Sequence, residues 1–296
     1  MTSNVAGRPI VAAVDGSQSA LDAVRWAADE AARRGLPLRL THTVNVAAIA
    51  YGGSFGLPRD YFEAMHQYGR TYLADAGSLV TRLHPDVPVT TELVEGSPIP
   101  ILEDASKQAA LVVLGSRGMG GFTGILTGST AIATIARAHC PVVVVRGDQP
   151  DPAGPVVVGV DGSPASDIAL AWAYEEASAR GVDLVAVHGW TEFASENSYA
   201  FARQFVVDWD AVQARQEEQL AAQLAGYGEK YPNVTVRRVV EGGRARQLLL
   251  DHARGAQLVV VGSRGHAELG GLLLGSTSQA LVHHAPCPVL VVRAER

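Results

Sequence analysis

The sequence predicts two copies of one doubly wound α/β domain in tandem. Three observations lead there: a set of motifs recurs half a chain apart, short apolar runs read as strands buried on both faces, and amphipathic segments alternate with those runs. The length of 296 residues leaves room for about two domains.

The repeat is explicit. Val14-Asp15-Gly16-Ser17 returns as Val160-Asp161-Gly162-Ser163, Trp26-Ala27 as Trp172-Ala173, Arg34-Gly35 as Arg180-Gly181 and His42 as His188, all at an offset of 146. Further on, Gly115-Ser116-Arg117-Gly118 returns as Gly262-Ser263-Arg264-Gly265, Gly128-Ser129-Thr130 as Gly275-Ser276-Thr277 and Cys140-Pro141 as Cys287-Pro288, now at an offset of 147. A period this long is a duplicated domain. Between the copies, the stretch from Gly147 to Pro155 is rich in Pro and Gly, which oppose helix and central strand alike. The boundary falls near Pro150, giving domains 1–149 and 150–296.

In the first half, Ile10 to Asp15 reads as a buried strand. Ser17 or Ser19 is placed to cap the helix that follows, with Leu21, Val24, Ala28 and Ala31 at helical spacing and Gly35 as its stop. Leu36 to Val44 is the second strand, 45–58 a loop rich in Gly and Ala, and 60–82 an amphipathic helix. Val87 to Val94 is the third strand, 98–109 a helix, Leu111 to Gly115 the fourth strand, 129–138 a helix and Val142 to Arg146 the last strand. The second half repeats this plan, with strands at 155–161, 183–189, 233–240, 257–262 and 288–293. Its helices fall at 165–180, 208–229, 243–254 and 276–284. Alternating strands and helices imply a parallel sheet covered on both faces, and right-handed crossovers make it doubly wound. The ligand crevice of such a sheet lies at the carboxyl ends of its strands, where the winding reverses. Asp15, Gly115, Asp161 and Gly262 all end strands and belong at that edge.

The composition narrows the function. A formal net charge of −6 argues against nucleic acid as the main partner, because phosphate-backbone binding calls for a basic face. Lys107 and Lys230 are the only lysines, so a cationic contact to phosphate falls to arginine. No export signal is evident, and no run approaches the ~18 apolar residues of a membrane helix. A cytoplasmic protein without membrane insertion is expected. Cys140 and Cys287 are too few for a disulfide framework and read as residues buried at strand starts, with a bridge between the copies as the alternative.

The chemistry concentrates in two glycine loops. Each has Gly-Ser-Arg-Gly after an apolar strand, then nine residues, then Gly-Ser-Thr opening a helix. Glycines let a phosphate approach the backbone amides, and the helix start adds free N–H groups and a positive dipole end. Ser129 and Thr130 add hydroxyls; Arg117 and Arg264 either contact phosphate or stand in solvent. Ordinary connecting turns are the alternative, but two copies of the full spacing favour a nucleotide. The motif is neither a Walker loop, which needs Gly-Lys-Ser/Thr, nor the Gly-x-Gly-x-x-Gly of a dinucleotide fold.

Asp15 and Asp161 suit a ribose hydroxyl, an adenine amine or a metal; helix capping is the plainer role. His42 and His188 border the same edge and read as satisfied, half-buried histidines. Trp26 and Trp172 read as core anchors. His283, His284 and Cys287 lack a fourth ligand and a matching set in the first copy, which argues against zinc. No nucleophile elbow and no paired carboxylates recur in both halves, so the sequence describes a binding site more readily than a reaction. Within the loops, Met119-Gly120-Gly121-Phe122 differs from His266-Ala267-Glu268-Leu269, and Glu268 predicts weaker phosphate binding in the second site.

At these residues the chain resembles the tandem universal stress proteins, of the kind typical of actinobacteria and mycobacteria. The family's ATP-binding members share the Gly-x-x-Gly, nine residues, Gly-Ser/Thr pattern and an Asp ending the first strand, and the likeness covers essentially the whole chain. The resemblance implies a Rossmann-like five-stranded parallel sheet of order 3-2-1-4-5 in each domain. It implies ATP, with Mg²⁺ as its companion ion, as the ligand. Ala13, Val14 and Asp15 would flank adenine and ribose, Gly115, Ser116, Arg117 and Gly118 would wrap ribose and phosphates, and Gly128, Ser129 and Thr130 would hold the phosphates. In the second half Gly159, Val160 and Asp161, then Gly262, Ser263, Arg264 and Gly265, then Gly275, Ser276 and Thr277 would do the same. Some members carry His where Arg117 and Arg264 stand. The resemblance further implies a stress regulator with a protein partner and at most weak ATPase activity, the alternative being a slow ATP hydrolase or nucleotidyl-transfer enzyme using the same pockets. Members commonly pair through the last strand, so Val142 to Val145 and Val289 to Val292 are candidate edges, either within the chain or in a homodimer.

Overall fold

The computed structural model describes residues 7–45, 59–118, 127–147, 151–190, 208–265 and 274–294. They fold as two compact units. The described residues up to Arg146, with those from Pro288 onward, make the first, and the described residues between Gly147 and Cys287 the second.

The first unit contains β1 (Ile10–Ala13), α1 (Gln18–Arg34), β2 (Leu38–Val44), α2 (Arg59–Leu83), β3 (Val89–Glu95), α3 (Pro98–Ser106), β4 (Leu111–Gly115), α4 (Ser129–Arg137) and β5 (Val142–Val145). Its strands lie in the order β3-β2-β1-β4-β5, all parallel, as the doubly wound fold requires. Ile10, Val11 and Ala12 are fully buried between Leu38 to Leu40 of β2 and Leu111 to Val113 of β4, which is why β1 reads as an unbroken apolar run. Burying each Val, Leu or Ile of this kind contributes about 1.5–3 kcal/mol. Ser17 caps α1, its hydroxyl accepting from Ala20 N, and Gly35 ends it at φ 61°, the left-handed conformation glycine adopts without a Cβ clash. Trp26 is buried on this helix, as expected of a core anchor.

The second unit contains β6 (Val156–Gly159), α5 (Pro164–Arg180), β7 (Leu184–Trp190), α6 (Trp209–Leu224), α7 (Tyr227–Lys230), β8 (Val236–Gly242), α8 (Ala245–His252), β9 (Leu258–Gly262) and α9 (Ser276–His284). Its parallel strands follow the same order, β8-β7-β6-β9. One expected element is corrected here. The single helix 208–229 is broken at Gly226, which takes φ 83° and separates α6 from α7. The turn brings Tyr227 flat against the buried Tyr174, with centroids 4.6 Å apart, and Tyr231 at 5.6 Å. The gain of a stacked aromatic cluster outweighs the continued helical hydrogen bonds.

The last strand, β10 (Val289–Val292), belongs to the first unit. It runs antiparallel to β5, with Val289 opposite Val144 and Val291 opposite Val142. Of the two roles open to these valine runs, pairing within the chain is realised. Arg293, one residue past β10, donates from Nη1 to the carbonyls of Ala136 and Ala138, the last acceptors of α4. A guanidinium at a helix carboxyl end satisfies orphan carbonyls and opposes the dipole. Arg293→Ala is therefore expected to lower the stability of this unit by about 1–2 kcal/mol in urea denaturation, with Arg293→Lys between it and wild type.

Cys140 and Cys287 are thiols, so the bridge considered from the sequence is not formed. Desolvation pushes the Cys140 thiol up to about 12. Its thiolate is scarce at neutral pH, and iodoacetamide at pH 7.5 is expected to modify it roughly three orders of magnitude more slowly than a free cysteine. Among the described residues no helix is long and apolar enough to cross a membrane.

Candidate functional site

In each unit the winding reverses between the first and fourth strands, β1 and β4 or β6 and β9. Their carboxyl ends open the crevice expected of this topology. Ala13 is the last residue of β1 and Gly159 the last of β6; Val14 and Asp15, or Val160 and Asp161, follow directly. Gly115 closes β4 and Gly262 closes β9. Gly128 and Gly275 stand at the cap positions of α4 and α9, so Ser129 and Thr130, or Ser276 and Thr277, begin those helices.

Asp15 does not cap α1 itself. Its Oδ1 accepts from Ser17 N at 3.0 Å and from Ser17 Oγ at 2.6 Å, so it braces the residue that does cap. Asp161 does the same with Ser163, at 3.0 and 2.6 Å. The other oxygen faces the glycine loop. A Cβ on Gly118 would lie 2.6 Å from Asp15 Oδ2, and one on Gly265 would meet Asp161 Oδ2. Each half thus brings its strand-end carboxylate against the fourth residue of its Gly-Ser-Arg-Gly motif. Only a residue without a side chain allows that approach.

The two ends of each glycine loop are also joined. Gly128 N donates to Ser116 O and Gly275 N to Ser263 O, both at 2.8 Å, while Ser116 N is held by Val145 O at 3.0 Å. Neither cap glycine offers a side chain to the helix start. Among the described residues no side chain caps the N–H groups of the first turn, the property that makes a helix start attract anions. Ser116 and Ser263 are buried at 6 % exposure, which aligns the loop backbone rather than presenting their hydroxyls to solvent. Arg117 and Arg264 are exposed and form no ion pair among the described residues. The loop interiors, 119–126 and 266–273, including Glu268, lie outside the described residues, as does the loop 46–58.

The halves are not identical. In the first, Ser19 Oγ accepts from Arg117 N at 3.3 Å, tying the loop to α1, while the Ser17 hydroxyl, whose hydrogen goes to Asp15, lies 3.3 Å from Arg117 O. Ala165 replaces Ser19 in the second half, and a Cβ on Gly262 would touch it at 2.8 Å. There Ser278 Oγ reaches Ser263 O at 3.1 Å instead, holding the loop from α9. These serine contacts were not apparent from the sequence; their signal was the serine repeated as Ser17 and Ser163 directly after the Asp-Gly pair.

A sequence model of the universal stress protein family matches residues 7–146 and again 153–293. The universal stress protein Rv2005c of Mycobacterium tuberculosis is 40 % identical over 291 residues, covering 96 % of each chain. Another from the same organism, Rv2623, is 39 % identical over 300 residues and 99 % of each chain. In fold the chain is similar to the crystal structure of a universal stress protein from Archaeoglobus fulgidus, with a TM-score of 0.71, 20 % identity and coverage of 97 % of this chain and 96 % of that one.

Proposed function

The chain belongs to the universal stress protein family, and from that premise we propose that its two halves, 1–149 and 150–296, each bind an adenine nucleotide, ATP, so that the protein acts as a nucleotide-dependent regulator of the stress and dormancy response in the cytoplasm. The observation that carries this reading is the duplicated meeting of a strand-end carboxylate with a side-chain-free loop residue beside an open helix start. Asp15 or Asp161 would take the ribose or base, the loop amides would take the phosphates, and the first turn of α4 or α9 would take the terminal anion. The residues fit Mg²⁺ only as a companion of the triphosphate, since each site offers one carboxylate and neighbouring hydroxyls rather than a cage.

Bound nucleotide would contact both ends of the glycine loop at once. It would favour one arrangement of the surface that a regulatory protein partner reads. Regulation of this kind needs occupancy, not turnover, and hydrolysis is expected to be slow. Sustained turnover lost on Asp15→Ala or Asp161→Ala would instead support the hydrolase or nucleotidyl-transfer reading. The deciding experiment is mass spectrometry of ligand released from the protein purified under native conditions. ATP is expected, at up to two molecules per chain; release of another nucleotide such as cAMP, or of none, overturns the assignment.

A further inference from the structure

We infer that His42 and His188 are positioning residues for the two candidate sites, each imidazole fixing the peptide that presents the strand-end aspartate. His42 Nδ1 lies 2.6 Å from Val14 O, and His188 Nδ1 lies 2.7 Å from Val160 O. Two histidines a full repeat apart make the same contact on the residue just before Asp15 and Asp161. A carbonyl oxygen only accepts, so the hydrogen sits on Nδ1 in both rings, and the contact sets the tautomer.

The contact falls where the sheet gives out. Val14 N makes the ladder bond to Thr41 O at 2.9 Å, and Val160 N makes its counterpart to Val187 O at 2.9 Å. β1 and β6 have already ended at Ala13 and Gly159, and Val14 and Val160 are 3 % exposed, so water does not serve their carbonyls. The imidazole takes that place. A trans peptide is rigid and points its C=O and N–H in opposite directions. Holding Val14 O toward β2 therefore turns the Asp15 N–H toward β4 and the glycine loop. Ser17 meanwhile holds the Asp15 carboxylate. The aspartate is fixed at its backbone by histidine and at its side chain by serine, and the same is true of Asp161.

What stands behind each ring differs. His188 Nε2 is 2.8 Å from Gln216 Oε1 on α6; with the ring hydrogen on Nδ1 this nitrogen accepts, so the amide must present its N–H₂ group there, and the contact ties that helix to the second site. At the offset of 147 the matching residue of α2 is Gly69, where a Cβ would come within 2.6 Å of His42 Cδ2. The first ring is backed instead by Tyr72, edge-on at 5.7 Å. Glutamine braces one clamp and an aromatic edge the other.

The inference rests on the nucleotide reading for its consequence, and the test separates the two. The full-length chain labelled with ¹⁵N-histidine is examined first without nucleotide; both rings are expected to carry a hydrogen on Nδ1, and a ring that lacks it overturns the clamp there. ATP titration of His42→Leu, His42→Gln, His188→Leu and His188→Gln follows, with melting temperatures alongside. Each leucine variant is expected to weaken its own site about tenfold and leave the other unchanged, while glutamine, which still offers an N–H, stays within about threefold of wild type. Unaltered affinity in the leucine variants, or glutamine failing as badly as leucine in step with melting temperature, overturns the positioning role. A wild-type protein that takes no ATP refutes the nucleotide reading instead. In that case exchange of the Asp15 and Asp161 amide protons decides the clamp: about tenfold faster exchange in the leucine variants supports it, and unchanged exchange sinks it.

Discussion

Replacing Gly118 and Gly265 together with valine is expected to abolish nucleotide retention, from as many as two molecules per chain to none, with the melting temperature close to wild type. The reason is spatial. A Cβ at Gly118 would lie 2.6 Å from Asp15 Oδ2, and the equivalent atom at Gly265 would press on Asp161 Oδ2 more closely still. Neither glycine lies in the left-handed backbone region, so the substitution tests volume alone. Either the carboxylate swings out of its Ser17 or Ser163 contact or the loop lifts off the strand end. Both outcomes remove two or three charge-assisted hydrogen bonds from any nucleotide held between them. Losing about 3–4 kcal/mol of contact weakens binding by a factor of roughly 10²–10³. The single variants should each remove one equivalent, which calorimetry resolves. Stability should hold because Gly118 and Gly265 sit at the edge of their loops and carry no core side chain. If the double variant copurifies with as much nucleotide as wild type, the nucleotide lies elsewhere.

Most of this architecture was legible in the residues, for a simple physical reason. A strand buried on both faces must be apolar throughout, so Leu111–Gly115 and its counterpart Leu258–Gly262 announce themselves at both ends. Helices that open on Gly-Ser and close before Cys-Pro are equally marked, and α9 falls on the expected 276–284. The break at Gly226 was hidden because glycine inside an amphipathic run is tolerated. What decides it is the ring of Tyr174, some fifty residues away in the chain. The partner of β5 was hidden too. Four consecutive valines at 142–145 and a near copy at 289–292 advertise a strand edge but not which edge they seek. The site shows the same division. Repetition located Asp15, Gly118 and their counterparts at one edge. It did not tell that Asp15 braces Ser17 or that His42 grips Val14 O, because such contacts cross between elements. His42 and His188 looked like satisfied histidines; what satisfies them is a carbonyl next to the candidate ligand contacts.

Glu176→Ala is expected to destabilise the second unit by about 3–5 kcal/mol, read as a shift of its denaturation midpoint at unchanged slope. Glu176 is fully buried on α5, one turn before Arg180, whose side chain is only 5 % exposed. The guanidinium donates to Glu176 Oε2 from Nε and from Nη2, each at 2.9 Å, and from Nη1 to Gln257 Oε1 at 3.4 Å. Gln257 in turn donates to Pro152 O, so the pair links the end of α5 to the entrance of β9 and to the segment leading into β6. Removing the carboxylate leaves a guanidinium inside the protein without the charge that faces it, and desolvation makes this far costlier than losing a surface pair. Glu30 repeats the arrangement in the first unit with Arg33 and Arg34, but those side chains are 29 % and 12 % exposed. They can turn toward water when Glu30 is lost, so Glu30→Ala should cost less than Glu176→Ala. The double change Glu176→Leu with Arg180→Met restores an apolar fill and should return most of the loss, because an uncompensated charge, not the pair itself, carries the penalty. Equal losses at Glu30 and Glu176, or no recovery in the double variant, would count against burial as the cause. A Glu-x-x-x-Arg-Gly ending repeated at the same offset is visible in the sequence at Glu30-Arg34-Gly35 and Glu176-Arg180-Gly181. An i,i+4 pair of this kind ordinarily sits on a solvated face. Here Glu176 is among the buried residues of α5, with Ala169, Leu170, Ala173, Tyr174 and Ala177, so the pair lies on the side of the helix that faces the core.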